Sequence, residues 1–237
     1  MKKALDIYNT MAKDGSISKT ELAGRFDFQK KQELNIISEV ILKLSPNGTE
    51  TLLEIGSGPG NISIPLAKFH YKSVTAIDSE NVLKVLSKND KDSIVRTIEG
   101  DWLNLDINDK YDHIIIYSVL HYMASEKLFL EFIDKAYNAL KIGGKLLIGD
   151  LPNIDRKKYF TNSNQYDSVN KDWIKNACKL NDNYNSLFND LSTLKINDNL
   201  INKVLNKFNS KISRAYLMPQ LGDLPFCFTR EDILILK

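Results

Sequence analysis

One stretch of the chain reads Leu52-Leu53-Glu54-Ile55-Gly56-Ser57-Gly58-Pro59-Gly60-Asn61. Glycines crowded directly after an apolar run allow positive φ and let a ligand come close to the backbone. The N–H groups of such a turn, at the start of a helix, face that ligand, which suits a phosphate or a nucleoside. Tight strand-to-helix turns also use glycine with no ligand at all, so the acids around the turn matter. Asp78 closes the next apolar run, 22 residues beyond Gly56. At about that offset a carboxylate accepts hydrogen bonds from a ribose. Asp101 follows the third run, in Ile98-Glu99-Gly100-Asp101-Trp102, and so borders the same crevice outside the carboxyl ends of the strands. Either acid alone would serve equally as a helix N-cap. Their joint position at strand ends points to an adenosine-bearing ligand.

The spacing also excludes two common ligand classes. The dinucleotide fingerprint G-x-G-x-x-G/A needs a small third residue, and Asn61 stands there. No G-K-[ST] follows the glycines, so there is no P-loop. What remains is E-x-G-x-G-x-G, with Glu54 two residues before the first glycine.

The elements that must hold these residues follow from periodicity. Apolar runs at 51–55, 73–77, 93–98, 113–117 and 145–148 read as strands. Helical patterns at 61–69, 81–86 and 127–140 alternate with them, which implies βαβ units and a parallel sheet covered on both faces. Ile114-Ile115-Ile116 suits a central strand buried on both sides. Residues 1–50 read as a helical N-terminal cap, with Ile36, Ile37, Val40, Ile41 and Leu44 on one face and Pro46-Asn47-Gly48 as its stop. The remainder, 51–237, reads as one elaborated α/β domain. Its stretch 154–195 is a polar insertion with a weak helix at 166–180. A helix carrying Leu200, Ile201, Val204, Leu205 and Phe208 follows, then strands at 215–218 and 233–236.

Composition narrows the function classes. The chain has 237 residues, 43% hydrophobic and 26% charged, with a formal net charge of +2. Such a balance gives no global electrostatic reason to seek nucleic acid or an anionic membrane. Cys178 and Cys227 are far apart with no CxxC, as expected for free thiols in a reducing cytoplasm. Met1-Lys2-Lys3 is followed by Asp6 and Asn9, which break any signal-peptide core. The apolar stretch 113–123 is too short for the ~18 residues of a membrane span. A soluble, cytoplasmic protein is expected. Arginine occurs only at 25, 96, 156, 214 and 230, while Lys and Asn abound between 162 and 209. That bias reflects an AT-rich coding sequence more than a special site.

With these residues in view, Glu54-Ile55-Gly56-Ser57-Gly58-Pro59-Gly60 resembles motif I of the class I S-adenosylmethionine-dependent methyltransferases. Asp78 resembles the acid that this family places on the ribose hydroxyls. Gly100-Asp101-Trp102 is similar to its adenine-binding motif. Tyr117-Ser118-Val119-Leu120-His121-Tyr122 resembles the segment after strand four that borders the methionine moiety and the methyl group. Leu140-Lys141-Ile142-Gly143-Gly144-Lys145-Leu146-Leu147-Ile148 resembles the entry into strand five. Five elements in order, over about 50–150, imply a doubly wound, mostly parallel seven-stranded sheet with an antiparallel last strand. They also imply a cofactor site of Glu54, Gly56, Ser57, Gly58, Gly60, Asn61, Asp78, Ser79, Asp101, Trp102 and Ser118. Beyond that core, Gly149-Asp150-Leu151-Pro152-Asn153, Leu224-Pro225-Phe226 and Thr229-Arg230-Glu231-Asp232-Ile233-Leu234-Ile235 are similar to bacterial methyltransferases of surface-sugar biosynthesis.

The expected activity is methyl transfer from S-adenosylmethionine to a small-molecule acceptor, a sugar or nucleotide-sugar hydroxyl, by direct displacement. Positioning and exclusion of water do most of such work. His121, just past strand four, is the candidate base, and Asp150, ending strand five, either orients or deprotonates a hydroxyl. Each has an alternative structural role, the histidine as a cavity-lining or backbone-satisfied ring. No carboxylate cluster follows strand four, so no metal is expected. Ser118-Val119-Leu120-His121 stands where nucleic-acid methyltransferases of this fold carry [DNS]-P-P-[YFW]. Tyr159, Phe160, Tyr166 and Trp173 either stack on the acceptor or form the core of the insertion. Two other readings stay open, a non-catalytic S-adenosylmethionine-binding module and a nicotinamide-dependent reductase of related fold.

Overall fold

Seven strands share one sheet in the computed structural model, which describes residues 2–177, 193–210 and 212–237. They are β1 (Thr51–Ile55), β2 (Ser73–Asp78), β3 (Val95–Glu99), β4 (Tyr111–Tyr117), β5 (Leu140–Pro152), β6 (Arg214–Pro219) and β7 (Arg230–Leu236). Their order is β3-β2-β1-β4-β5-β7-β6. The first five pair in parallel, and β7 runs antiparallel to both β5 and β6. The doubly wound sheet with an antiparallel last strand is therefore the one the chain forms. Strand order reverses between β1 and β4, which opens a crevice at their carboxyl ends.

Helices cover both faces. α1 (Lys2–Met11), α2 (Lys19–Leu22), α3 (Lys30–Glu33) and α4 (Asn35–Leu44) precede the sheet. α5 (Ser63–Phe69), α6 (Glu80–Asn89) and α7 (Glu126–Asn138) follow β1, β2 and β4. α8 (Ile154–Thr161), α9 (Tyr166–Ala177) and α10 (Asp198–Phe208) lie between β5 and β6. Residues 178–192, with Cys178 and the end of the expected 166–180 helix, lie outside the described residues. No helix among the described residues is long and apolar enough to cross a membrane.

The alternation of the strands explains the two layers. Ile114 and Ile116 pack with Phe129, Phe132 and Ile133 of α7 and with Leu200, Ile201 and Val204 of α10. Ile115 points the other way, into Ile36, Val40 and Leu44 of α4, Leu66 of α5 and Leu83 and Leu86 of α6. Three consecutive isoleucines thus fill two cores. β5 is longer than the 145–148 run suggests, because its glycines and Asp150 break the apolar pattern without breaking the strand. Its register to β7 shifts between Ile148 and Leu151. Gly149 is required there, since a Cβ would lie 2.3 Å from the Tyr117 ring.

Two buried ionisable groups tie distant elements together. The Lys43 ammonium on α4 lies 2.7 Å from both Glu39 and Asp232 of β7 and also donates to Pro219 O at 3.2 Å. On β1, the fully buried Glu54 carboxyl accepts from the Ser63 hydroxyl at the start of α5. Burial pushes the Glu54 pKa up to about 8, with the Asp78 charge adding to it.

Removing one partner of a buried ion pair leaves the other uncompensated, so Lys43→Ala should cost ~3–5 kcal/mol of unfolding free energy. Lys84→Ala, which breaks an exposed pair with Glu80, should cost under about 1 kcal/mol. Urea titration of both variants distinguishes them, and equal midpoints would deny the triad any structural weight. For Glu54, the native state keeps its proton to about pH 8, against an ordinary value of 4.5. Between those values the native state binds more protons than the unfolded chain, so stability falls as pH rises through the window. Relative to Glu54→Gln, the native chain should lose on the order of 1.4 kcal/mol per pH unit there and level off above it. Parallel stability–pH curves for the two proteins would contradict the buried proton.

Candidate active site

The carboxyl ends of β1, β2 and β3 are laced together by backbone bonds. Gly56 N–H and Ser57 N–H both donate to Ile77 O, at 2.8 and 3.1 Å, and Gly100 N–H donates to Asp78 O at 3.0 Å. The Asp78 carboxylate closes the arrangement, with Oδ2 accepting from Gly58 N–H at 2.8 Å and Oδ1 from Ser79 N–H at 2.7 Å. Burial raises its pKa, and the two N–H bonds oppose that rise. Gly56 has φ +77°, and a Cβ there would sit 2.4 Å from Val119. No other residue fits the turn.

Above these ends lies a cavity that opens to solvent. Gly56, Gly58, Asp78, Gly100 and Trp102 line one part of it, Ser118, Val119 and Tyr122 another. Ile55, Ile77, Val82, Tyr117 and Phe132 supply apolar surface. Ala4, Leu5, Tyr8, Leu22 and Ala23 close it from the amino-terminal side. Tyr8 and Tyr122 share a hydrogen bond at 2.8 Å. Asn9 Oδ1 accepts from Asn81 N–H at 2.9 Å and anchors α1 over the start of α6. On the Trp102 side, the Lys135 ammonium of α7 binds Trp102 O at 2.6 Å and also Leu103 O and Leu105 O. That grip fixes the loop after β3.

The residues singled out from the sequence divide into three groups. Gly56, Gly58, Asp78, Trp102 and Ser118 meet around the cavity. Ser57, Gly60 and Ser79 stand in the turns that shape it, and Asp101 is half-buried with Oδ1 accepting from Leu103 N–H at 3.1 Å. Glu54 and Asn61 face away. Glu54 is committed to Ser63, while Asn61 gives its amide to Glu33 Oε1 at 2.8 Å and Lys19 O at 3.3 Å.

His121 and Asp150 lie just behind the wall formed by Ser118 and Tyr122. The His121 ring is buried, lies 4.0 Å from the Tyr122 ring at a tilt of 47°, and has no hydrogen-bond partner for Nδ1 among the described residues. Burial pulls its pKa down to about 3, helped by Arg230 and Arg25, so the imidazole is neutral at ordinary pH. Asp150 accepts from Ser118 Oγ at 2.5 Å, and Arg230 Nε is 3.7 Å from its other oxygen. Both Ser118 (φ +60°) and Asp150 (φ +58°) are left-handed, at ~1–3 kcal/mol of strain each. The sequence predicts Asp150 as the end of strand five, but β5 runs on to Pro152 in its pairing with β7, so this strain sits just past β4 and at the register shift within β5.

Of the aromatic residues in the insertion, Trp173 packs edge-on against Phe26 and Phe28, and Phe160 stacks on Phe228 at 4.8 Å. Tyr166 meets Phe160, while Tyr159 is exposed. Tyr8, Leu22, Ala23 and Arg25 were not singled out from the sequence. Tyr8 and Leu22 sit in ordinary helical patterning and Ala23 and Arg25 in the bend after α2, and neither setting gives a local signal.

Residues 53–148 match a family described as a methyltransferase domain. A glycine/sarcosine N-methyltransferase from Parasynechococcus marenigrum is 30% identical over 118 residues, 48% of this chain and 42% of that protein. Ribosomal RNA small subunit methyltransferase A of Mycoplasma capricolum is 29% identical over 103 residues, 41% and 39% of the two chains. An uncharacterized methyltransferase from Staphylococcus carnosus is 26% identical over 177 residues, 72% and 81%. The chain thus spans about two fifths of the length of the first two relatives. Among solved structures, the N-methyltransferase NodS from Bradyrhizobium japonicum in complex with S-adenosylhomocysteine shares the fold. Its TM-score is 0.62 at 15% identity over 97% of both chains. Residues 53–148 thus match a methyltransferase-domain family, and the whole chain shares its fold with a solved methyltransferase.

Proposed function

We propose that the chain is a cytoplasmic enzyme that moves the methyl group of S-adenosylmethionine to a small-molecule acceptor, a hydroxyl of a sugar or nucleotide sugar, by direct displacement. The observation that carries this reading is the shared cavity, with Asp78 and Trp102 on one side and Ser118 and Tyr122 on the other. The residues present fit the donor. Gly56 and Gly58 leave the turn's backbone bare of side chains. Each Asp78 oxygen, bonded once to backbone N–H, retains a lone pair for a ribose hydroxyl.

In this assignment Gly56, Ser57, Gly58 and Gly60 cradle the donor, while Asp78 and Ser79 take the ribose. Asp101 and Trp102 take the adenine, and Ser118 borders the methyl end. Glu54 and Asn61 act on the donor through the turn they brace. Bound there, S-adenosylmethionine supplies an electrophilic methyl on a sulfonium. His121 is assigned as the base for the acceptor's proton, with burial holding its imidazole neutral but weakly basic in the free protein, and Asp150 orients the hydroxyl through Ser118. A hydroxylated acceptor is supported by this polar group at the methyl end. The sugar rests on the likeness of 149–153, 224–226 and 229–235 to surface-sugar methyltransferases.

A thermal-shift comparison with S-adenosylmethionine, S-adenosylhomocysteine and NADH tests the donor. Ligand at about 100 times its Kd adds ~2.7 kcal/mol, on the order of several degrees for a chain this size. Both sulfur compounds should stabilise the protein, and Asp78→Ala should lose most of that shift; a response to NADH alone would overturn the reading. For the acceptor, release of S-adenosylhomocysteine is followed with sugars, nucleotide sugars, glycine, sarcosine and a ribosomal RNA fragment. Turnover with the sugars, lowered by His121→Ala more than cofactor affinity is, supports the proposal. Turnover confined to the amines or the RNA contradicts it.

A further inference from the structure

Apolar packing is not all that closes the cavity from the amino-terminal side. Arg25 is only 7% exposed, and its guanidinium stands where the two halves of the site meet. Nη1 donates to Ala23 O at 2.9 Å and lies 3.5 Å from Glu33 Oε1. Nη2 donates to Ser118 Oγ at 2.9 Å and lies 4.0 Å from Asp150 Oδ2. The same group covers the Tyr117 ring at 5.6 Å. Glu33, also buried, accepts from Thr20 Oγ1 at 2.9 Å and from Asn61 Nδ2 at 2.8 Å. A continuous polar chain therefore runs from the glycine turn at Asn61, through Glu33 and Arg25, to the ends of β4 and β5.

Charge within this chain is balanced. Arg25 and Arg230 face Glu33 and Asp150, so the cluster has no surplus to attract an anion. Its chemistry is that of a brace. Only a planar guanidinium with donors pointing in several directions can hold Ala23, Glu33 and Ser118 at once. Leu22 and Ala23, which it fixes, line the cavity.

We propose that Arg25 is a positioning residue, holding the 19–25 segment shut over the donor while fixing Ser118 and Asp150 at the methyl end. This rests on the reading of the cavity as the S-adenosylmethionine site. Closure of this kind sets how long the donor and its product stay bound, so the rate of S-adenosylhomocysteine release reads it without any acceptor.

Release is measured by stopped flow on the full chain and on Arg25→Lys, Arg25→Met and Glu33→Gln, alongside the melting temperature of each without ligand. Loss of a hydrogen bond to a charged group corresponds to roughly a 10–100-fold change, and Arg25→Met should release S-adenosylhomocysteine faster by about that factor. Arg25→Lys keeps the charge but cannot bridge, and should also release faster while melting near the native temperature. Should Arg25→Met fail to fold, Arg25→Lys and Glu33→Gln decide, and faster release from both supports the brace. Variants that release at the native rate, whatever their melting temperature, overturn the inference and leave the donor site standing. A native chain that binds no S-adenosylhomocysteine overturns the reading of the cavity itself.

Discussion

A single carboxylate at the end of the second strand organises this molecule's site. Asp78 is buried, and burial alone would drive it toward the neutral acid. Two backbone N–H groups, from Gly58 and Ser79, hold it in place. One of them belongs to the glycine turn and the other to the approach to α6, so the turn's shape and the acid's position are set together. Everything nearby follows from that constraint. Gly56 must tolerate both a positive φ and the close approach of Val119. Glu54, behind the turn and repelled by Asp78, gives up its charge to stay buried.

The other half of the site depends on contacts that arrive from far along the chain. Ser118, just past β4, and Asp150, at the register shift within β5, are left-handed, and a hydrogen bond joins them. Arg25 reaches them across 93 residues of sequence, and Tyr8 reaches Tyr122 across 114. The amino-terminal helices are thus part of the cavity wall. Farther back, the Lys43 triad joins α4 to β7, and Asp232 in turn accepts from Asp150 N–H at 2.9 Å. One buried network therefore connects the base of the hairpin to Asp150.

How much of this is legible in the sequence follows from the range of the interactions. The strands, the glycine turn and Asp78 announce themselves because their signals are local, in periodicity, glycine spacing and position at a strand end. Ile114-Ile115-Ile116 reads correctly as a strand buried on both faces for the same reason. β5 is under-read, since Gly143, Gly144 and Gly149 look like breaks when they are accommodated within the strand. Asn61, next to the turn, looks like a ligand contact, and its amide is used to anchor Glu33. Arg25, Tyr8 and Lys43 are invisible at the sequence level, because key partners are distant in the chain and their own neighbourhoods, ordinary helix for Tyr8 and Lys43 and a short bend for Arg25, carry no signal.

The proposed activity depends on where the donor sits. A crystal structure of the full chain with S-adenosylhomocysteine tests that directly. The predicted result places the ribose hydroxyls within hydrogen-bond distance of Asp78, the adenine beside Trp102 and the sulfur near Ser118, under Leu22 and Ala23. Ligand bound elsewhere on the protein, or in this cavity with its ribose turned away from Asp78, would contradict it.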